Sequence, residues 1–170
     1  MSLARLRWPL VILLALVVQA SLAPDVRVFG VHPDVLMAVA VAGGVVGRAE
    51  GGAVTGFAVG LAADLVVLQT PVGLGALSYC LVGFAVGSVQ SAVLRSSRWL
   101  GPVTVGVASA AGEVLFAVVG VLVGQAGLVG RGLLRTALVV GLLNLVVGLA
   151  AVPAASWAAG RAPASRAFAR

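Results

Sequence analysis

Lysine is absent from the 170 residues, cysteine and histidine occur once each, and aspartate and glutamate together supply only five residues. Charged residues make up 9% of the chain, against about a quarter in a water-soluble domain, whose surface has to be wetted. That scarcity excludes a water-soluble globular fold. The lone Cys80 excludes an internal disulfide and any cysteine cluster for zinc or iron–sulfur. His32 stands beside Pro33 and Asp34 with no second His or Cys, so no metal site is expected. Ser78 and Ser109 have no histidine on their side of the membrane, and no glycine-rich phosphate loop follows a strand. The chain is therefore expected to be no enzyme and to carry no cofactor. The net charge is +6, but aromatics are only 5% and the arginines are spread along the chain, so no nucleic-acid surface is expected.

What remains is apolar. Hydrophobic residues reach 61% and the mean hydropathy is +1.17, which identifies a bilayer as the solvent. Breaks at Asp25 to Pro33, Arg48 to Gly51, Thr70 to Gly73, Arg95 to Gly101 and Gln125 to Arg135 divide the chain into six apolar segments. They predict an all-α, polytopic bundle of about six transmembrane helices at 8–23, 33–47, 52–69, 74–94, 102–124 and 136–158. These form one domain over residues 1–160, followed by a basic tail at 161–170. The segment from Trp8 to Leu22 has the charge flank and small residues of a signal peptide. It reads instead as an uncleaved first span with Trp8 as an interfacial anchor. Segment 33–47 is the ambiguous one. Fifteen residues rise only about 22 Å, short of the roughly 30 Å hydrocarbon core. It reads as a short span, a tilted partner of the third segment, or a re-entrant turn.

Charge distribution arbitrates. With six spans, Arg5, Arg7, Arg48, Arg95, Arg98, Arg161, Arg166 and Arg170 lie on one side, and Arg27, Arg131 and Arg135 on the other, eight against three. The positive-inside rule then sets both termini in the cytoplasm. A re-entrant second segment gives four inside and seven outside, which violates the rule. The tail, Ala- and Arg-rich with Pro163, is expected to lie near anionic headgroups or to act as a plain stop-transfer flank.

The few polar residues inside the spans are placed, not scattered. Gly52, Gly56, Gly60 and Asp64 recur at every fourth residue and share one helix face. Such spacing lets two helices approach closely, and it points Asp64 toward a neighbouring helix rather than lipid. The fifth segment repeats the device with Gly106, Ala110, Glu113, Ala117, Gly120 and Gly124. The sixth carries Gly141, Asn144 and Gly148 on one face, and the first carries Gln19 near its end. A carboxylate at bilayer depth costs about 2.5 to 3.5 kcal/mol unless neutralised, paired or hydrated. For Glu113 two readings follow: a proton or cation relay or a partner contact, or a protonated or hydrogen-bonded carboxyl tying the fifth helix to Asn144 or Gln19. For Asp64, followed by Gln69 and Thr70, a helix-end contact is expected rather than catalysis. Arg48 and Glu50 are expected to pair at a tight turn.

The pattern Gly52-x-x-x-Gly56-Phe57-x-x-Gly60-Leu61-x-x-Asp64, then Thr70-Pro71-x-Gly73 and a span with Leu77, Tyr79 and Gly83, resembles the MreD family of rod-shape-determining membrane proteins. Pro33-Asp34 opening the second segment, Glu113 in the fifth, the stretch from Arg135 to Asn144 and the overall size also fit. The resemblance covers most of the chain, its specific part being the third-segment pattern through Thr70-x-x-Gly73. It implies a non-enzymatic scaffold subunit of the cell-elongation complex in the bacterial inner membrane, required for rod shape and lateral peptidoglycan synthesis. The implied partner is MreC, with MreB, RodA and the elongation transpeptidase indirectly. It also implies a helical fold similar to the substrate-binding subunits of energy-coupling-factor vitamin transporters. The Ala/Gly/Val-rich, lysine-free composition departs from many family members.

A substrate-binding subunit of such a transporter is the alternative. Those subunits resemble one another in an Ala-x-x-x-Ala patch on the first span, whereas here Ala15 is followed at the fourth residue by Gln19. A proton-coupled carrier using Glu113 and Asp64 would bring an internal repeat, and the halves show no self-similarity. Self-association into a homo-oligomer stays open.

Overall fold

The computed structural model describes residues 6–23, 25–66, 71–93, 99–130 and 132–161. Arg5, Gln69, Thr70, Arg95, Arg98, Arg131 and residues 162–170 of the basic tail lie outside them. Six α-helices follow one another: α1 (Arg7–Ser21), α2 (Val35–Val46), α3 (Ala49–Val66), α4 (Leu74–Val93), α5 (Leu100–Leu122) and α6 (Leu133–Ala158). Among the described residues there is no strand, only an isolated bridge between Val28 and Val31. Three helices, α3, α5 and α6, are long and apolar enough to cross a membrane, while α1 and α2 are shorter apolar helices.

The centre of the bundle is α2. Its sequence, Val-Leu-Met-Ala-Val-Ala-Val-Ala-Gly-Gly-Val-Val, has no polar face, and every one of its 12 residues is buried. A helix apolar all round finds no stable place at a polar surface and goes to the core; α2 packs against all five other helices. At ~1.5 Å per residue it is about 18 Å long. Its first residue meets Gln19 near the end of α1, and its last turn leads through Gly47 and Arg48 into α3, whose start shares a groove with Trp8 at the beginning of α1. It thus runs the full way between the two ends of the bundle. α2 is one uninterrupted helix that its neighbours enclose on all sides.

Starts differ from expectation at two helices. α3 begins at Ala49, three residues before 52, because the Arg48 carbonyl accepts the Gly52 N–H at 2.8 Å and Glu50 sits in the first turn, where a negative charge suits the helix dipole. α6 begins at Leu133, three residues before 136, since the Thr136 N–H closes on the Gly132 carbonyl at 2.9 Å. The expected Arg48–Glu50 pair is also corrected. Among the described residues no ion pair joins them; residues two apart at a helix start point in different directions, and both are exposed.

Glycines set the spacing of α3 against α4. A Cβ on Gly52, Gly56 or Gly60 would run into the backbone carbonyl of Gly83, Tyr79 or Gly75 respectively. The two backbones therefore touch along most of their length, as small-residue seams allow. A second seam joins α5 to α6, where Gly106 and Ala110 lie against Gly141, and Gly148 against Pro102 and Val105. The start of α1 and the end of α6 meet at one end of the bundle. The Arg7 guanidinium donates to the Trp157 carbonyl at 3.2 Å and lies 5.2 Å from the Trp157 ring centroid, a cation–π arrangement.

Candidate functional site

At the end of the bundle opposite Arg7 and Trp157, buried polar groups from five helices converge. The site begins with Pro33-Asp34, an X-Pro extended stop followed by a helix-capping residue. Asp34 Oδ1 accepts the Met37 N–H at 2.9 Å and so caps α2. Its other oxygen accepts the Tyr79 hydroxyl from α4 at 2.6 Å. The Val35 N–H, a second free donor of the α2 start, is taken by Gln19 Oε1 at 2.7 Å, and Gln19 Nε2 donates to the Pro33 carbonyl at 3.4 Å. From α6, Asn144 Nδ2 donates to the Asp34 carbonyl at 2.8 Å and to Ser109 Oγ of α5 at 2.9 Å. The buried start of α2 is thus held by side chains of α1, α4 and α6, which answers the demand that buried backbone polar groups be paired.

Asp64 does the same for α4. It is 3% exposed and accepts the N–H groups of Gly73 at 2.8 Å, Gly75 at 3.0 Å and Ala76 at 3.1 Å. A carboxylate on the first turn of a helix satisfies free donors and offsets the positive end of the dipole. Gly73 has φ of +105°, a left-handed conformation that suits glycine, and Gly75 leaves room for the Asp64 carboxylate that a Cβ would occupy. Asp64 is therefore a helix-end contact to a neighbouring helix.

Glu113 differs. Among the described residues its carboxyl has no hydrogen bond or ion pair, and it faces a cavity of about 560 Å³. The tie to Asn144 or Gln19 is corrected, since no hydrogen bond joins Glu113 to either: Asn144 Nδ2 donates to Asp34 and Ser109, and Gln19 bonds to Val35 and Pro33. The cavity is walled by Asp34, Asp64, Tyr79, Gln19, His32 and Glu113 on its polar side and by Leu36, Phe116, Leu128 and Val140 on its apolar side. The loop after α1 adds Gly30, Val31 and His32 to its wall. There the Val28 and Val31 backbones bond to each other at 2.9 and 3.0 Å around a turn at Phe29 and Gly30, both with positive φ. The Arg135 guanidinium donates to the Phe29 carbonyl and lies 5.7 Å from the Phe29 ring centroid, which pins this loop to the start of α6.

Two further buried atoms, Ser78 Oγ and Asn144 Oδ1, have no partner among the described residues. Of the polar residues selected from the sequence, Gln19, Asp64 and Glu113 line the cavity and Asn144 sits one turn below its Val140 wall, while Gly52, Gly56 and Gly60 build the α3–α4 seam behind it. Asp34 and Tyr79 enter the sequence reading only through the family pattern and Ser109 only as a serine without a histidine, although an Asp preceding a long apolar run carries the signature of a helix cap. Among the described residues no three His, Cys, Asp or Glu side chains are grouped to hold a metal ion. Comparison with protein-family models, curated proteins and solved structures gives no match.

Proposed function

We propose that the chain is a non-enzymatic scaffold subunit of the MreD kind, spanning the bacterial inner membrane six times with both termini in the cytoplasm and binding MreC. Through MreC it meets MreB, RodA and the elongation transpeptidase. The observation that carries this reading is how the recurrent residues are used. Gly52, Gly56, Gly60, Asp64, Tyr79 and Asp34 are all consumed in packing or capping α2, α3 and α4, so the pattern behind the family resemblance specifies an architecture rather than a reacting centre.

Six spans are supported by the alternation of the helices between the two ends and by the arginine bias of eight to three. The outer faces carry Leu13 and Leu14 of α1, Phe57 and Leu65 of α3, and Leu142 of α6 exposed, side chains suited to lipid. For the partner helix, a groove of about 410 Å³ between α1 and α3, walled by Trp8, Ile12, Val54 and Ala58, ends at Glu50. That carboxylate suits a spanning helix with a basic cytoplasmic flank and disfavours the phosphate of a lipid headgroup. Co-purification tests the proposal. MreC should accompany the protein through mild detergent, and a folded, monodisperse protein that never carries MreC would refute scaffolding.

One observation favours a second reading, a substrate-binding subunit of an energy-coupling-factor type transporter: the cavity at the end away from the termini is within the roughly 300–1,000 Å³ range of ligand sites. The missing Ala-x-x-x-Ala patch on α1 counts against it.

A further inference from the structure

We infer that the cavity at the end of the bundle where all six helices contribute is a binding site for a compact organic cation, a protonated amine seated on Glu113. This goes beyond the scaffold reading and deepens the second one, resting on the cavity alone and not on any partner complex. Its sign is the first reason. The chain carries a net +6, yet among the described residues no arginine lines the cavity, whose ionisable walls are Asp34, Asp64, Glu113, His32 and Tyr79. The acidic groups outnumber the single histidine there.

The second reason is which of those groups is still unsatisfied. Both oxygens of Asp34 and both of Asp64 are engaged by backbone N–H groups or by Tyr79. Glu113 has no such donor and projects into the space near the middle of α5. A carboxylate at that depth requires a partner, a proton or water, and an ammonium group supplies both the charge and the donors. The third reason is the shape of the rest of the wall. Phe116, Leu128 and Val140 form an apolar side for the body of the ligand, and two aromatic residues, Phe116 and Tyr79, line the same space. Among the described residues no three His, Cys, Asp or Glu side chains are grouped to hold a metal ion, and the apolar wall suits the body of an organic cation.

The test uses the full-length protein in detergent and three probes of similar size that differ in charge: phenethylamine, 2-phenylethanol and phenylacetate. Isothermal calorimetry against a protein-free micelle blank should give saturable binding for phenethylamine. It should be at least ten times weaker for the alcohol, and absent for the acid. Glu113→Gln should lower the phenethylamine affinity at least tenfold. Phe116→Leu, which keeps the carboxyl, should lower it by a smaller factor. Equal binding of the three probes, no saturable binding of the amine, or unchanged affinity in a folded Glu113→Gln protein would overturn the proposal. The wild-type comparison of three charges decides even if a variant fails to fold. Loss of amine binding with MreC co-purification intact would remove the site and leave the scaffold reading standing.

Discussion

Removing the Asp64 carboxylate gives the sharpest measure of how the α3–α4 hairpin is held. In Asp64→Ala the N–H groups of Gly73, Gly75 and Ala76 lose their acceptor, and the bonds to Gly75 and Ala76 are buried. A buried donor left unpaired costs about 1–3 kcal/mol, so two give about 2–6 kcal/mol. Because Asp64 and Gly75 border the cavity, water admitted into the vacated space recovers part of this, and the lower range of about 2–4 kcal/mol is expected. Asp64→Asn keeps one accepting oxygen. Placed at the Oδ2 position, that oxygen retains Gly73 and Ala76, while the amide nitrogen faces the Gly75 N–H. One bond and the charge are lost, about 1–2 kcal/mol. The assay is thermal unfolding of the purified protein in detergent, followed by helical circular dichroism. At about 2–4 °C per kcal/mol for a chain of this size, Asp64→Ala should melt roughly 4–16 °C below wild type. A melting temperature within 2 °C of wild type would refute the capping argument, since three short bonds to a buried carboxylate cannot then contribute to stability.

Tyr79→Phe removes the hydroxyl donor from Asp34 Oδ2 but keeps the ring and the second bond of the carboxylate, so a loss of about 1–3 kcal/mol should appear in the same melting assay. An unchanged melting temperature would sink the idea that this bond fastens α4 to the start of α2. Gly56→Leu drives a side chain into the Tyr79 carbonyl and should cost at least about 1–3 kcal/mol through forced separation of α3 and α4. Gly51→Leu, at a position open to its surroundings, should be close to neutral. Leucine is the better helix former, so equal losses in the two glycine variants would refute the seam as the source of the cost.

The glycine periodicity on α3 was legible because a repeat of four residues identifies one helix face without knowledge of the neighbour. Its counterpart was not. The groups met by Gly52, Gly56 and Gly60 are backbone carbonyls of α4, and backbone atoms leave no trace in a sequence. Asp64 could be assigned to a helix contact for the same reason, but its partners are three N–H groups of a helix start that only the hairpin brings near. Glu113 shows the reverse. Its placement on a small-residue face was readable, but its supposed partners Asn144 and Gln19 were claimed by groups elsewhere along the chain.

By itself, the sequence determined the solvent, the helical class and the approximate extent of the helices. Each of these follows from local composition: too little charge to wet a surface, apolar runs of helical length, and breaks rich in Pro, Gly and Arg. Only the tertiary structure decided that the shortest and least polar segment, Val35–Val46, is the axis of the bundle. Enclosure by five neighbours is a property of the assembled helices and removes the need to span lipid alone. It also decided that Asp34, Tyr79, Gln19 and Asn144, spread over 126 positions from Gln19 to Asn144, close around the start of that helix, while Glu113 is left facing an open cavity. The physical reason is the same in both cases: burial and hydrogen-bond pairing depend on which surfaces meet, and distance along the chain does not encode that.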